Sequence, residues 1–311
     1  MDVSSSAGAR YNRIRAFITF AVLVLMIALP FVDWGLVEPE KPEEDSTSYG
    51  EYMDWQQVRN IFPKYGNATV LDLDTGLKFN VQRRGGTYHA DVQPLTAEDT
   101  EIMKRIYGGE WSWKRRAVLV LAGGRQIAGS MNGMPHGGGH IRGNHFPGHF
   151  CIHFKGSRLH LNGREDPAHR IMVLKAAGLL EDFIVKSSSE EVLKIFFTAL
   201  GQGELNITAR TAYFNSPGDL LSLFGRASDI KKVNVEQVSR GEGGAFKVTL
   251  EVEFRSGETV RRREKTVGMV YRENIGWRVD YTTAGPLLSP DKGKDEKVSV
   301  PALFEDLEKD Q

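Results

Sequence analysis

The sequence contains a single cysteine, Cys151, among 311 residues, so an internal disulfide is excluded. It also has no net charge, because 40 lysines and arginines balance 40 aspartates and glutamates. That balance gives no indication of a nucleic-acid partner, and none is expected. The HExxH and CxxC motifs of common zinc sites are both missing, and no histidine follows His169.

One long apolar run is present, near the N-terminus. Residues 16–32 are interrupted only by Thr19 and Pro30, which is close to the lower limit of about 17–25 residues for a membrane-spanning helix. Residues 1–15 carry three arginines and acidic residues follow the run, so the positive-inside rule places the bulk of the chain outside the cytoplasm. No small-x-small cleavage site follows, which favours an uncleaved single-pass plasma-membrane anchor at 16–33 over a cleaved signal peptide.

The remainder divides by composition and periodicity. Residues 34–53 are rich in Pro, Glu, Ser and Gly and predict a linker. Residues 54–185 predict a β-rich first domain, residues 187–285 a small second domain, and residues 286–311 a tail. The expected fold class is therefore α+β, with an N-terminal membrane helix.

Alternation of apolar and polar residues predicts individual strands. In the first domain, residues 117–122 and 126–131 predict a hairpin that turns at Gly123, and residues 150–154 predict a strand. The second domain begins with a capped amphipathic helix. Its predicted antiparallel strands are 231–240, 245–255, 258–272 and 276–283.

The second domain resembles the cone-shaped, nuclear-transport-factor-like domains that bacteria append to exported proteins. The resemblance lies in the order of its elements and in the final strand, Gly-Trp-Arg-Val-Asp-Tyr at 276–281. It implies a spacing, docking or regulatory role, with an envelope protein as a candidate partner of residues 187–311.

Histidines are concentrated around Cys151, in residues 134–154. Packing explains such crowding poorly, since histidine has only an intermediate preference for the core. If residues 150–154 form a strand, His149, Cys151 and His153 share one face. The neighbouring glycines let the main chain approach a substrate and offer N–H groups to an oxyanion. A thiol, an imidazole base and oxyanion donors are the groups that acyl transfer requires. The five histidines of this segment are His136, His140, His145, His149 and His153.

The segment resembles a known catalytic signature. His136-Gly137, followed by Gly-His-Phe-Cys-Ile-His at 148–153, is similar to the His-Gly … Ser-His-Gly-Cys-Ile-Arg pattern of L,D-transpeptidase catalytic domains. The resemblance covers about residues 65–180 and implies a β-rich bacterial wall enzyme that acylates its cysteine with a peptidoglycan stem peptide and needs no cofactor. It implies that Cys151 is the nucleophile, His136 the base and His149 a residue that shapes the site.

Three positions depart from that pattern. Gly148 stands where Ser or Thr is usual, Phe150 replaces the glycine before the cysteine, and His153 replaces the arginine after it. The carboxylate contact of that arginine then needs another group, for which Ser157-Arg158 is the candidate. The remaining predicted site residues are Gly137, Gly148 and His153 at the substrate and His89 and Asp91 as supporting groups.

Two other classes of function use the same segment. A zinc peptidase would take its ligands from His89 and Asp91 with His136, His149 or His153, and Cys151 itself is a candidate zinc ligand. A non-catalytic wall-binding module would instead use Trp111 and Trp113 as stacking surfaces, although core packing is the simpler role for both. Cys151 would then be a small buried hydrophobic residue.

Overall fold

A computed structural model describes residues 49–138, 141–160 and 162–290. The predicted basic segment, the membrane anchor, and most of the linker and of the tail lie outside these ranges. Within them, no helix combines the length and the apolar character that crossing a bilayer requires. The described chain has the α+β fold that the sequence predicts, and its sheets are antiparallel apart from one short parallel pair, residues 212–213 with 276–280.

Six strands close into a barrel in the first part of the chain. Their order around the barrel is β1-β2-β3-β6-β5-β4, every neighbouring pair is antiparallel, and β4 closes on β1. Closure leaves no open sheet edge. The strands are β1 (Asn67–Asp72), β2 (Lys78–Gly85), β3 (Ala90–Pro94), β4 (Arg116–Ala122), β5 (Arg125–Met131) and β6 (Phe150–His153).

Residue alternation explains how the barrel is filled. Every second residue of β1 and β2 is buried, and Val70, Phe79 and Val81 lie in a core with Phe150 and Ile152 of β6. The predicted β4–β5 hairpin is confirmed. It turns at two glycines with φ of +56° and +72°, a backbone conformation that favours glycine.

Four helices accompany the barrel: α1 (Trp55–Ile61), α2 (Ala97–Ile106), α3 (Pro167–Ala176) and α4 (Leu180–Lys186). Thr96 caps α2 in a capping box with Asp99. Asp166 caps α3 by accepting hydrogen bonds from the backbone N–H groups of Ala168 and His169. Helix α3 packs against β4 and β5, so its first turn lies beside the barrel.

The second part begins with α5 (Ser189–Gln202) and forms two three-stranded sheets, β10-β9-β8 and β11-β12-β7. The predicted strand 258–272 is wrong as a single strand. It divides at Gly268, which bonds to Asp280 and Thr283, and the chain passes there from one sheet to the other. The other helices are α6 (Leu205–Arg210), α7 (Pro217–Asp229) and α8 (Tyr281–Ala284), with 3-10 turns at Glu242–Gly244 and Gly285–Leu288. The strands are β7 (Ala212–Tyr213), β8 (Ile230–Arg240), β9 (Phe246–Phe254), β10 (Thr259–Val267), β11 (Met269–Arg272) and β12 (Gly276–Asp280).

A shared apolar cluster joins the two parts. Leu119 of β4 and Ala128 of β5 lie on the outside of the barrel, where they meet Met172 of α3 and Ile195 and Ala199 of α5. All these side chains are buried, and both parts belong to one compact unit. Burial of such a cluster couples the stability of the two parts.

Ile195→Ala tests this coupling. Ile195 is fully buried, so we expect the substitution to lower the free energy of unfolding by about 2–5 kcal/mol. Urea unfolding followed by tryptophan fluorescence and by far-UV circular dichroism should show one transition that moves as a whole. Lys194→Ala, at an exposed position of the same helix, is the control and should change stability little. A biphasic curve in which only one phase moves would mean that the two parts unfold independently.

Candidate active site

A backbone bridge brings His136 and His149 together. The N–H of His136 donates to the carbonyl of His149 at 2.9 Å, and the N–H of His149 donates to the carbonyl of His136 at 2.8 Å. His149 immediately precedes β6, which carries Cys151. The bridge therefore fixes a residue fifteen positions upstream beside the thiol.

Two glycines make this close approach feasible. Gly137 has φ of +58°, and a Cβ there would lie 2.4 Å from Cε1 of His149. Gly148 has φ of +111°, and a Cβ there would lie 2.5 Å from the His136 carbonyl oxygen. Side chains at either position would force the two histidine segments apart. Glycine at 148, where the resembling family has Ser or Thr, is thus required by the geometry of this chain.

Buried polar groups hold the rest of the β5–β6 connection on the barrel. Gln93 of β3 donates to the carbonyl of Gly148 and accepts from the N–H of Ile141 at 3.0 Å. Thr100 of α2 donates to the carbonyl of Asn144 at 2.6 Å, and the Asn144 side chain donates to the Pro94 carbonyl at 2.8 Å. These bonds pair buried polar groups of Ile141, Asn144 and Gly148 and hold that part of the connection against β3 and α2.

Cys151 Sγ lies 3.1 Å from Nε2 of His136. Nδ1 of the same ring lies 2.9 Å from the carbonyl oxygen of Met134, to which it donates its hydrogen. That bond fixes the neutral tautomer and leaves the Nε2 lone pair facing the thiol. The His136 ring also packs on Trp113, with ring centroids 5.1 Å apart. The arrangement is that of a thiol and an oriented general base.

A second imidazole approaches the sulfur. Nε2 of His89 lies 3.2 Å from Cys151 Sγ and 3.3 Å from Oδ1 of Asp91, which itself lies 3.9 Å from the sulfur. Nδ1 of His89 lies 2.8 Å from the carbonyl oxygen of Arg158, to which it donates. The register of β3 against β6 explains this placement, because Asp91 pairs directly with Cys151. His89 and Asp91, predicted as supporting groups, therefore contact the reactive atom itself.

Burial decides the resting charges of this group. It raises the pKa of the Cys151 thiol well above its ordinary value, and the Asp91 carboxylate raises it further. Burial also lowers the pKa of His136, against the effect of its bond to Met134. Burial opposes ionisation of Asp91, but its interactions with the His89 and His149 rings outweigh that effect, and the pKa of this carboxyl lies below its ordinary value. The resting pair is thus a neutral thiol and a neutral imidazole, with an ionised carboxylate beside them.

Three further histidines continue the cluster on the far side of His89. The His153 ring stacks on His89 at 4.4 Å and on His169 at 3.7 Å, and the His160 ring lies edge-on to His89 at 4.6 Å. His169 also lies 2.8 Å, through Nδ1, from Oγ of Ser130. Burial lowers the pKa of both His153 and His169 well below the ordinary value, so both rings are neutral. His153 stands where the L,D-transpeptidase pattern has an arginine. Here its neutral ring packs between the rings of His89 and His169.

These residues line a cavity of about 300 Å³. Six of the eight histidines line it, among them His160 and His169. The sequence predicts a rim position for these two, with the surface of a helix as the alternative for His169. Arg115 also lines the cavity and was missed, because nothing in its local sequence marks it. The remaining lining residues are Asp91, Trp113, Asn132, Gly137, Cys151 and Leu159.

Other predicted residues lie elsewhere. The exposed Arg158 side chain lines a separate groove with Arg59 and Tyr88, and only its carbonyl reaches the site. Ser157 Oγ accepts a hydrogen bond from the N–H of Phe154 at 2.9 Å and stabilises a turn. Trp111 packs edge-on against Phe146 at 5.3 Å. His145 is exposed, and His140 lies outside the described residues.

Two sets of side chains in the cavity have the composition of metal sites: His136, His149 and Cys151 form one, and His89, Asp91 and Cys151 the other. Both contain Cys151, so an ion in either set would coordinate the sulfur.

The chain matches no protein-family model, no curated protein and no solved structure. The motif at residues 136–153 and the geometry around Cys151 are therefore the features of this chain that bear on its function.

Gly137→Ala tests the need for the close approach. We expect the added methyl group and the positive φ to cost roughly 1–3 kcal/mol in the arrangement of the site, and the rate of Cys151 alkylation to fall about tenfold or more. Gly138→Ala is the matched control, since a Cβ there meets no described atom within 4 Å. Equal rates in the two variants would contradict the proposed constraint.

His169 should make the protein sensitive to acid. Its ring is neutral in the folded chain and takes up a proton on unfolding below about pH 6.5. A group with a lowered folded pKa contributes stability above its unfolded pKa, and that stability falls by up to about 1.4 kcal/mol per pH unit as the pH decreases. His169→Gln should therefore flatten the dependence of unfolding free energy on pH between about 7 and 5, measured by urea titration. His145→Asn should keep the parental slope, and an unchanged slope in His169→Gln would show that His169 is not the group responsible.

Proposed function

We propose that this chain is a thiol acyltransferase of the L,D-transpeptidase type, which acts on peptidoglycan stem peptides outside the plasma membrane of a bacterium. The observation that carries the proposal is the 3.1 Å contact between Cys151 Sγ and Nε2 of a His136 ring whose other nitrogen is anchored to Met134. The motif around these residues supports the substrate class. The apolar run at 16–33 and its flanking charges support the location.

The first half-reaction uses His136 twice. The sulfur of Cys151 attacks the peptide carbonyl carbon while its proton passes to Nε2 of His136, so the neutral resting pair generates a thiolate only during attack. The carbonyl oxygen becomes an oxyanion beside the cavity wall that includes Gly137. The C–N bond then breaks, and His136 returns the proton to the leaving amine. The product is a thioester at Cys151.

The second half-reaction reverses these roles. An acceptor amine attacks the thioester and gives its proton to His136, and the C–S bond breaks. The departing sulfur regains the proton from His136. An acceptor amine gives a new cross-link, whereas water gives hydrolysis.

Arg115 takes the place of the arginine missing after Cys151. It lines the cavity, and its guanidinium is oriented by Asp166 at 2.7 Å and by the carbonyl of Trp113 at 2.6 Å. Its buried Nε has no hydrogen-bond partner among the described residues. A guanidinium held in this way suits a substrate carboxylate. Asp166 thereby links the orientation of Arg115 to the start of α3.

The second part of the chain is proposed to support the first. The apolar cluster that joins them favours rigid spacing over mobile docking. A nuclear-transport-factor-like fold for this part, and a contact with an envelope protein through 187–311, remain part of the proposal.

The test is intact-mass analysis of the full chain after incubation with a carbapenem, which acylates an activated thiol. We expect one adduct at Cys151, which a chelator does not diminish, and none in Cys151→Ala. His136→Ala should slow adduct formation by about 10²–10⁴-fold, because the general base is lost. His145→Asn, which changes an exposed histidine of the same connection, is the control. Turnover of stem peptides that is lost on chelation would instead support the zinc peptidase, and a chain that forms no adduct and turns over no peptide would support the wall-binding module.

A further inference from the structure

Three donor atoms beside the proposed base have the spacing of a metal site. Cys151 Sγ, His89 Nε2 and Asp91 Oδ1 are separated by 3.2, 3.3 and 3.9 Å. Points with those separations have a common centre about 2.0 Å from each, which is close to zinc bond lengths of about 2.0–2.3 Å. An ion slightly above the plane of the three atoms would therefore bind all of them with little movement.

The imidazoles are prepared for coordination in the way that metal-binding histidines usually are. His89 and His136 each donate Nδ1–H to a main-chain carbonyl, those of Arg158 and Met134. Such bonds fix the ring and direct the Nε2 lone pair at the ion. His136 and His149 belong to a second candidate set that shares only Cys151 with this one. The fourth position of a tetrahedral ion bound to Cys151, His89 and Asp91 would therefore be open to water.

Electrostatics also favours a dication. A thiolate at Cys151 would be buried beside the Asp91 carboxylate, and two adjacent negative charges are costly in a low-dielectric site. A divalent ion would neutralise both. Asp91 and His149 keep part of their side-chain surface exposed, so an ion has access from the solvent.

We propose that Cys151, His89 and Asp91 form a binding site for a thiophilic divalent cation, zinc above all, and that the bound ion holds the thiol inactive. On binding, the Cys151 S–H proton is released to solvent and a metal–sulfur bond forms. The ion then occupies the electron pair with which the sulfur would attack the carbonyl. The inhibitory role rests on the proposed acyl transfer, whereas metal binding stands without it.

The first experiment measures binding alone. The chelator-treated full chain is titrated with Co²⁺ and then Zn²⁺, followed by native mass spectrometry and by the sulfur-to-cobalt charge-transfer absorption. We expect one equivalent of Co²⁺ to bind and to give a charge-transfer band. Zn²⁺ should then displace the cobalt and abolish the band. Cys151→Ala should lose the band, and Asp91→Asn should weaken affinity at least tenfold, whereas His145→Asn should bind as the parent does. The site is overturned if binding fails to reach one equivalent. It is also overturned if Cys151→Ala and Asp91→Asn both bind the metal as tightly as the parent does.

The second experiment separates this inference from the proposed function. Carbapenem adduct formation is measured in the metal-free chain and again with one equivalent of Zn²⁺. A rate that falls at least tenfold with zinc and recovers with chelator supports the inhibitory role. An undiminished rate in the zinc-loaded chain overturns that role. A metal-free chain that forms no adduct counts against acyl transfer and against inhibition of it, while the binding data judge the metal site separately.

Discussion

His136 and His149 exchange two backbone hydrogen bonds, and the rest of the site depends on that exchange. It brings His136 into contact with Cys151, fifteen residues further along the chain, and it requires glycine at 137 and 148, where any larger side chain would meet a histidine. The polar bonds from Gln93 and Thr100 then hold the remainder of the connection on the barrel end. The position of the base beside the thiol is thus a property of the main chain, which makes it independent of any ligand.

The second constraint is desolvation. Cys151 is buried among aromatic rings and close to a carboxylate, so its proton is retained at rest. Such a thiol differs from the thiolate–imidazolium pairs of cysteine sites with lowered pKa. It reacts only when a base accepts the proton during attack, whereas a cation that replaced the proton would hold the sulfur inactive. The rings of His153 and His169, stacked behind His89, contribute to the burial of the thiol. Both rings are neutral, so they fill space without adding charge.

Much of this site could be predicted from the sequence, because its main parts are local. The two-residue spacing around Cys151 predicts the strand and the face that its neighbours share, and the resemblance to the L,D-transpeptidase signature implies the roles of Cys151 and His136. The pairing of His89 and Asp91 with Cys151 was foreseen only as support, since strand register between β3 and β6 is a long-range property. Arg115 and His169 enter the cavity through packing of β4 and α3, which no local pattern encodes. Arg158 illustrates the converse, because its main chain reaches the site while its side chain points into another groove.

Base catalysis and metal binding place similar requirements on the geometry of this site. Both need a neutral imidazole with its Nδ1 hydrogen committed elsewhere, and both need a sulfur within about 3 Å of it. What distinguishes them is Asp91. A carboxylate beside the sulfur raises the thiol pKa and therefore opposes formation of a free thiolate, whereas the same carboxylate adds a ligand and a negative charge for a dication. A site shaped only for rapid thiol attack would have no use for this residue in this position. Its presence, paired by strand register with Cys151, is the reason to consider a bound cation as a second state of the site.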